Sequence, residues 1–175
     1  MLNSQPLGFY GPSQLVQDAQ RHGVEMREVD VTHSDWDCTL ESEAVRLGLR
    51  MVSGLQQAVA LRIMLARSHG AFQSTQDLAL RCQLDAGDLK ALASADALRS
   101  LSGHRRQQVW DASALRPAPA LLQGVPIEED ALELPAAQEG EEVTFDYAAL
   151  GMTLRSHPLL LLREQLSKMK LLTAA

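Results

Sequence analysis

Apolar residues recur at helical spacing through the middle of the chain. Between positions 55 and 66 they mark one face of a helix, and further apolar residues widen that face. The face consists of Leu55, Val59, Ile63 and Ala66, and the widening positions are Ala58, Leu61 and Leu65. A glycine at position 70 ends the pattern. The spacing therefore predicts an amphipathic helix that buries one side.

Two further predicted helices begin with capping signals. Ser74 is followed three residues later by Asp77, a pair that resembles a capping box. Asp85 and Asp88 repeat the same spacing ahead of another apolar run. Each pair predicts a helix that starts at a fixed residue, because the side chains hydrogen-bond to the free amides of the first turn.

A fourth helix, over residues 104–112, follows a serine-glycine pair. We expect its Val109 and Trp110 to face inward, because they are its largest apolar residues. The four helices predict two helix pairs in tandem, over residues 52–82 and 84–112.

The N-terminal part carries shorter patterns. A helix is predicted over 13–22, and alternation of apolar and polar residues predicts a strand over 24–31. Residues 38–41 and 44–50 are further strand candidates, although a helix over 44–51 stays open as the alternative. The chain is therefore predicted to be mainly α, with a small β element near its N-terminus.

The C-terminal part differs in composition. Residues 116–142 contain four prolines and no basic residue after Arg116, which predicts an acidic, Pro-rich linker. The pattern over 143–175 is again helical, is interrupted at Gly151 and Pro158, and ends in a strongly apolar helix.

The apolar stretches and the cysteines indicate in which compartment the protein is expected. The apolar stretches are shorter than a membrane span of about 20 residues, and the N-terminus lacks the pattern of a signal peptide. Cys38 and Cys82 are far apart, without the C-x-x-C spacing of redox or metal sites. We therefore expect a cytoplasmic protein without membrane contact.

The net charge of −6 is unevenly distributed. Residues 41–116 carry +3 and residues 117–146 carry −8. Acid is thus concentrated in one stretch, and the helical middle is mildly basic. Local charge matters more than the total for binding to phosphate, so nucleic acid stays a possible partner.

The sequence Val-Ser-Gly-Leu at 52–55 precedes the first central helix. A glycine turn that leads into a helix leaves backbone N–H groups free, and such groups bind phosphate. The predicted cradle consists of Ser53, Gly54, Leu55, Gln56 and Gln57. An ordinary helix start is the alternative. The corner at 84–88 carries two aspartates that repel phosphate, so we expect it to be structural.

Basic residues near these helices are mostly arginine, which suits bidentate contact with phosphate. The predicted side-chain contacts are Arg50, Arg62, Arg67, Arg105 and Arg106. The adjacent pair at the start of the fourth helix is the best cluster. A solvated helix surface is the alternative for each arginine.

Catalytic and metal-binding patterns are lacking in the sequence. Asp35-Trp36-Asp37 could hold a cation, but a turn capped by aspartates explains it better because no third ligand can be identified. Serine-hydrolase, Walker and dinucleotide-binding motifs are missing. We therefore expect no catalytic residue, no metal site and no cofactor in this chain.

Several blocks together resemble the bacterial C-family DNA polymerases, the family of the replicative alpha subunit, and above all its error-prone, damage-inducible paralogue. The blocks are LGFYGPSQLVQDAQRHGVEMREVDVTHSDWDCTLE, AVRLGLRMVSGL, IMLARSHGAFQSTQDLALR, LKALASADALRSLSGHRRQQVW and YAALGMTLRSHPLLLLR. They cover nearly the whole chain outside 117–142.

The resemblance implies a position within a larger polymerase. Residues 1–50 would end the fingers region, and 51–115 would form a tandem helix-hairpin-helix domain that holds duplex DNA. Residues 143–175 would lead toward an OB-type domain that this chain lacks. The family's Mg²⁺-binding aspartates lie upstream of this region, so the parent enzyme would use Mg²⁺ while this chain would be inactive alone.

The chain departs from the family pattern at several positions. Gln56 stands where helix-hairpin-helix turns usually have a second glycine. Thr32 replaces a frequent Asn, and Asp96 replaces the glycine of an Ala-Gly-Ala sequence. Residues 165–169, QLSKM, lack the terminal aromatic of a clamp-binding peptide and are interpreted as helix surface.

The predicted function is sequence-independent binding of duplex DNA within an error-prone polymerase that acts in damage-induced synthesis. The alternative is a protein-interaction module. In that case the acidic segment and the last helix would dock onto partner subunits of a mutagenesis complex.

Overall fold

The computed structural model describes residues 1–6, 8–115, 133–169 and 171. In these ranges it contains nine α-helices, three short strands and two short 3₁₀ helices. The α-helices are α1 (Pro12–Arg21), α2 (Gln57–Ser68), α3 (Thr75–Cys82), α4 (Ala86–Ser94), α5 (Arg99–Ser102), α6 (Arg105–Ala114), α7 (Glu139–Leu150), α8 (Pro158–Leu161) and α9 (Arg163–Lys168). The strands are β1 (Glu25–Arg27), β2 (Thr39–Glu41) and β3 (Ala44–Arg46), and the 3₁₀ helices are Leu2–Ser4 and Leu49–Met51.

The strands form one small sheet in the order β1-β3-β2. β1 is parallel to β3, with Met26 opposite Val45, and β2 is antiparallel to β3, with Leu40 opposite Val45. The predicted mainly α fold with a small N-terminal β element is confirmed. The open choice over 44–51 resolves into a strand followed by the 3₁₀ helix, and the strand predicted over 24–31 is shorter than expected.

The hydrophobic core runs from the sheet through the central helices. The predicted face of α2 is buried at Leu55, Val59, Ile63 and Ala66. The predicted widening was wrong, because Ala58, Leu61 and Leu65 are exposed. Ala60 is buried instead. In the described part of the chain, α2 packs against α3 and the 3₁₀ helix before it.

The two predicted capping pairs are present. The Ser74 hydroxyl accepts a hydrogen bond from the Asp77 amide at 3.1 Å. Asp85 and Asp88 form a reciprocal capping box, in which the Asp88 amide donates to the Asp85 carboxylate at 2.8 Å. These local signals fix the starts of α3 and α4.

Helix α6 presents a different face from the predicted one. Val109 and Trp110 are 40% and 51% exposed, so the prediction that they face inward was wrong. The buried residues of α6 are Arg105, Gln108 and Ala112. The Gln108 side chain accepts a hydrogen bond from the Leu98 amide and donates to the Gly103 carbonyl. The polar atoms of this buried amide are therefore hydrogen-bonded.

The C-terminal part also differs in detail. Helix α7 begins at Glu139, inside the segment predicted as linker, because Gln138 and Glu141 form a capping box. The rest of the predicted linker lies mostly outside the described residues. The predicted final helix is divided into α8 and α9, with Leu162 between them. In the described ranges, no helix is both long and apolar enough to cross a membrane.

Candidate nucleic-acid interface

The predicted glycine turn precedes α2 and is open to solvent. Gly54 has φ +80°, a left-handed conformation that disfavours side chains, and nothing lies within 4 Å of where a Cβ would point. The Leu55 amide donates to the Val52 carbonyl and closes the turn. The Ser53 amide donates to the Ala149 carbonyl at 2.8 Å, which fastens the turn to the end of α7.

These two hydrogen bonds reduce the number of free amides in the predicted phosphate cradle. The amides of Ser53 and Leu55 already have acceptors, so they cannot also hold a phosphate, and the Leu55 side chain is in the core. In the described part of the chain, the amides of Gly54, Gln56 and Gln57 have no acceptor. Helix α2 has no side-chain cap on this end, unlike α3 and α4. The free donors are therefore three of the five predicted residues.

A second turn with a left-handed glycine precedes α6, where the His104 ring accepts a hydrogen bond from the Gln107 amide at 3.3 Å. Ser102-Gly103 matches Ser53-Gly54, and Gly103 has φ +74°, also with no atom within 4 Å of a Cβ position. The amides of His104 and Arg106 have no acceptor among the described residues. The sequence interpretation recognised this Ser-Gly pair as the start of the fourth helix, but it placed the second loop-to-helix corner at 84–88 and assigned no backbone cradle here. The signal for the cradle is the repeat of the Ser-Gly pair directly before a helix.

Three of the predicted arginines donate hydrogen bonds to loops of the same chain. Arg50 donates to the Asp37 carboxylate at 2.6 Å and to the Asn3 carbonyl. Arg67 donates to the Asp35 carboxylate and to two backbone carbonyls of the 31–34 loop. Arg62 donates to the Cys82 carbonyl at 2.7 Å. Their guanidinium groups are therefore largely used within the chain, which leaves them as minor candidates for phosphate contact.

Arg105 is a buried structural residue, which corrects its predicted role as a phosphate contact. Its side chain is 3% exposed and pairs with Glu142 at 2.8 Å and with Asp146. Arg155 reaches the same two carboxylates, at 3.4 and 3.3 Å. This cluster joins α6 to α7. A guanidinium enclosed by two carboxylates cannot reach a phosphate on the outside.

Arg106 keeps the predicted surface position. Its side chain is 41% exposed and pairs with Glu141, which is 48% exposed. Such solvated pairs contribute little, so Glu141 can give way to a phosphate. Lys90 on α4 is exposed and has no ion-pair partner in the described ranges. Both cations are accessible on the side of the second turn that α4 and α6 share.

Asp96 occupies the position where the resemblance leads one to expect glycine. Its φ is +59°, the conformation that glycine adopts without strain. Its carboxylate accepts from Gln108 at 2.5 Å and from Arg155 at 2.9 Å. Aspartate is among the residues that tolerate this conformation best, and here its side chain ties α6 to the C-terminal part.

The carboxylates and thiols of the described part do not form a metal site. No group of three or more His, Cys, Asp and Glu side chains there could hold a metal ion. Asp35 and Asp37 bind arginines instead. Burial raises the pKa of the thiols of Cys38 and Cys82, which keeps both in the weakly reactive protonated form.

Comparison with known proteins identifies a motif in the region that contains the two turns. A family model described as a helix-hairpin-helix motif matches residues 23–108. The match and the fold place a helix-hairpin-helix motif, with a small sheet beside it, in this part of the chain.

The relatives make the assignment more specific. The chain is 50% identical, over its whole length, to an error-prone DNA polymerase of Aromatoleum aromaticum. It is 48% identical to those of Methylococcus capsulatus and Pseudomonas aeruginosa, over 99% and 95% of its length. It spans only 17–19% of these three proteins. The chain is thus similar to one segment of these error-prone DNA polymerases, in agreement with the resemblance seen in the sequence.

Proposed function

We propose that this chain is the segment of an error-prone DNA polymerase that holds duplex DNA by its phosphates during damage-induced synthesis. The observation that carries the proposal is the pair of Ser-Gly turns. Each has a left-handed glycine, and each is followed by unbonded amides at the start of a helix. The names of the relatives and the helix-hairpin-helix match support the same conclusion.

The physical basis is the positive end of each helix. Free N–H groups of the first turn point along the helix axis, and the helix dipole favours an anion there by about 0.3–1 kcal/mol. One turn alone would bind weakly. Two turns with the accessible cations Lys90 and Arg106 would hold several phosphates together. Because these donors reach the backbone and not the base edges, binding would be independent of sequence.

The chemistry of the parent enzyme would reside elsewhere in the polymerase. The resemblance implies that the Mg²⁺-binding carboxylates lie upstream of this segment. The 175-residue chain given primed template, Mg²⁺ and nucleotides should therefore not extend the primer. Its contribution would be to keep the duplex in place while other domains catalyse nucleotide transfer.

The test is a titration of fluorescent blunt duplexes at several salt concentrations. We expect similar dissociation constants for duplexes of unrelated sequence. Each phosphate contact should add about −0.9 to the slope of log K against log salt. Gly54→Val and Gly103→Val should each weaken binding, because a β-branched residue disfavours positive φ and displaces the turn. Gly11→Ala is the control, since Gly11 has a negative φ and open space around it.

Two results of this titration would contradict the proposal. Salt-independent binding, or a strong preference for one sequence, would contradict phosphate capture. Full affinity in both glycine variants, with circular dichroism that shows an intact fold, would exclude the two turns as the binding site.

A second candidate function rests on the exposed leucines of the C-terminal part. Leu159, Leu160, Leu161 and Leu162 are 39–66% exposed. Such a run suits contact with another protein or with another domain of the polymerase. A pull-down with purified partner subunits that survives Arg106→Ala, yet is lost when residues 157–171 are deleted, would favour this function.

A further inference from the structure

An open groove of about 950 Å³ lies between α4, α6 and α7. Its lining includes small residues, among them Gly87, Ala91 and Ala148. It also includes two aromatic rings, those of Trp110 from α6 and Phe145 from α7. A groove of this volume can accommodate a flat aromatic ligand.

The charges around the groove have one sign. Its described lining residues include Lys90, Arg105 and Arg106 and no carboxylate. Arg105 is neutralised by its buried acids, but Lys90 has no ion-pair partner in the described ranges and Arg106 has only a solvated one. The rim of the groove therefore favours an anionic ligand, although the chain as a whole carries −6.

The aromatic residues of the groove are accessible. Trp110 is 51% exposed and Phe145 is 44% exposed, although both are large and apolar. Exposed aromatic rings beside cations are the usual arrangement for stacking unpaired bases, since every base presents a π face. A wholly apolar partner would leave the cations without partners.

The groove also adjoins both Ser-Gly turns. Ser53, which precedes Gly54, lines it, and so do the first two residues of α6, which follow Gly103 by two and three positions. Ala149, another lining residue, accepts the hydrogen bond from the Ser53 amide. A strand whose phosphates bind at either turn would thus enter the groove directly.

We propose that the groove binds unpaired nucleotides next to the duplex, with a base stacked on Trp110 and phosphates near Lys90 and Arg106. This inference rests on the proposed duplex binding and adds single-stranded DNA to the substrate. The preferred ligand would then be a junction between duplex and single strand, such as a primed template with an overhang.

The experiment compares a blunt duplex with the same duplex carrying a four-nucleotide overhang. The protein is the 175-residue chain with Trp36→Phe, which leaves Trp110 as its only tryptophan. We expect about tenfold tighter binding of the overhang, and quenching of Trp110 emission by the overhang only. Trp110→Leu should abolish the tenfold difference and leave binding of the blunt duplex unchanged. Leu65→Ala, on the exposed side of α2, is the matched control.

The outcomes distinguish this inference from the proposed function. Equal affinity for both DNAs, without quenching, would overturn the groove proposal while duplex binding stands. Absence of binding to either DNA would overturn both. Quenching of Trp110 by an acidic amphipathic peptide, with no response to the overhang, would assign the groove to a protein partner and overturn the proposal.

Discussion

Arg105→Met is the substitution that best separates the structural from the nucleic-acid role of this arginine. It removes a charge that is 3% exposed and leaves Glu142 and Asp146 in the interior. Breaking a buried ion pair in this way destabilises proteins by about 3–5 kcal/mol. Arg155 still reaches both carboxylates, at 3.4 and 3.3 Å, so we expect the lower end, about 3 kcal/mol.

The measurements are urea unfolding and thermal unfolding at pH 7, each followed by circular dichroism. For a chain of this size a loss of about 3 kcal/mol should lower the melting temperature by roughly 6–12 °C. Adding Glu142→Gln to the variant should restore part of the stability, because it removes one unpaired carboxylate. DNA affinity, measured where both proteins are folded, should stay close to that of the unmodified chain.

Arg106→Met is the matched control, one residue along the same helix. Its ion pair is solvated on both sides, so the free energy of unfolding should change by about 0.5 kcal/mol or less. Its DNA affinity should fall and its salt slope should become shallower. The opposite pattern, with Arg105→Met stable but weak in DNA binding, would refute the structural assignment.

Two further predictions concern the N-terminal part. Gly48→Ala should destabilise the chain by about 1–3 kcal/mol in urea unfolding, because a Cβ would lie 2.4 Å from the carbonyl carbon of Asp37; an unchanged midpoint would contradict this close packing. Hydrogen bonds from Arg46 and Arg27 lower the pKa of Glu41 to about 2. Because the folded-state pKa lies below the unfolded one, this stabilisation is complete above pH 4.5 and is lost toward pH 2. The stability difference between the unmodified chain and Glu41→Gln should therefore shrink over that range, and a constant difference would exclude the effect.

Features that depend on a few neighbouring residues could be predicted from the sequence. The caps at Ser74 and Asp85 are present because a side chain reaches an amide three residues away, whatever surrounds it. The buried face of α2 follows from its spacing, and the turn at Gly54 follows from the one residue type that adopts positive φ freely. The mainly α fold and the resemblance to polymerases belong to this group.

Only the tertiary structure decided which face of α6 is buried. Val109 and Trp110 are its largest apolar residues, yet the interior side carries Arg105 and Gln108. Arg105 pairs with Asp146, which lies 41 positions further along the chain and approaches it only through packing of α7, and Gln108 donates to the Asp96 carboxylate. The adjacent Arg105 and Arg106 have the same helix propensity, yet the first is buried and the second is exposed. Charge and periodicity describe one helix at a time, whereas burial is a property of the helices that meet.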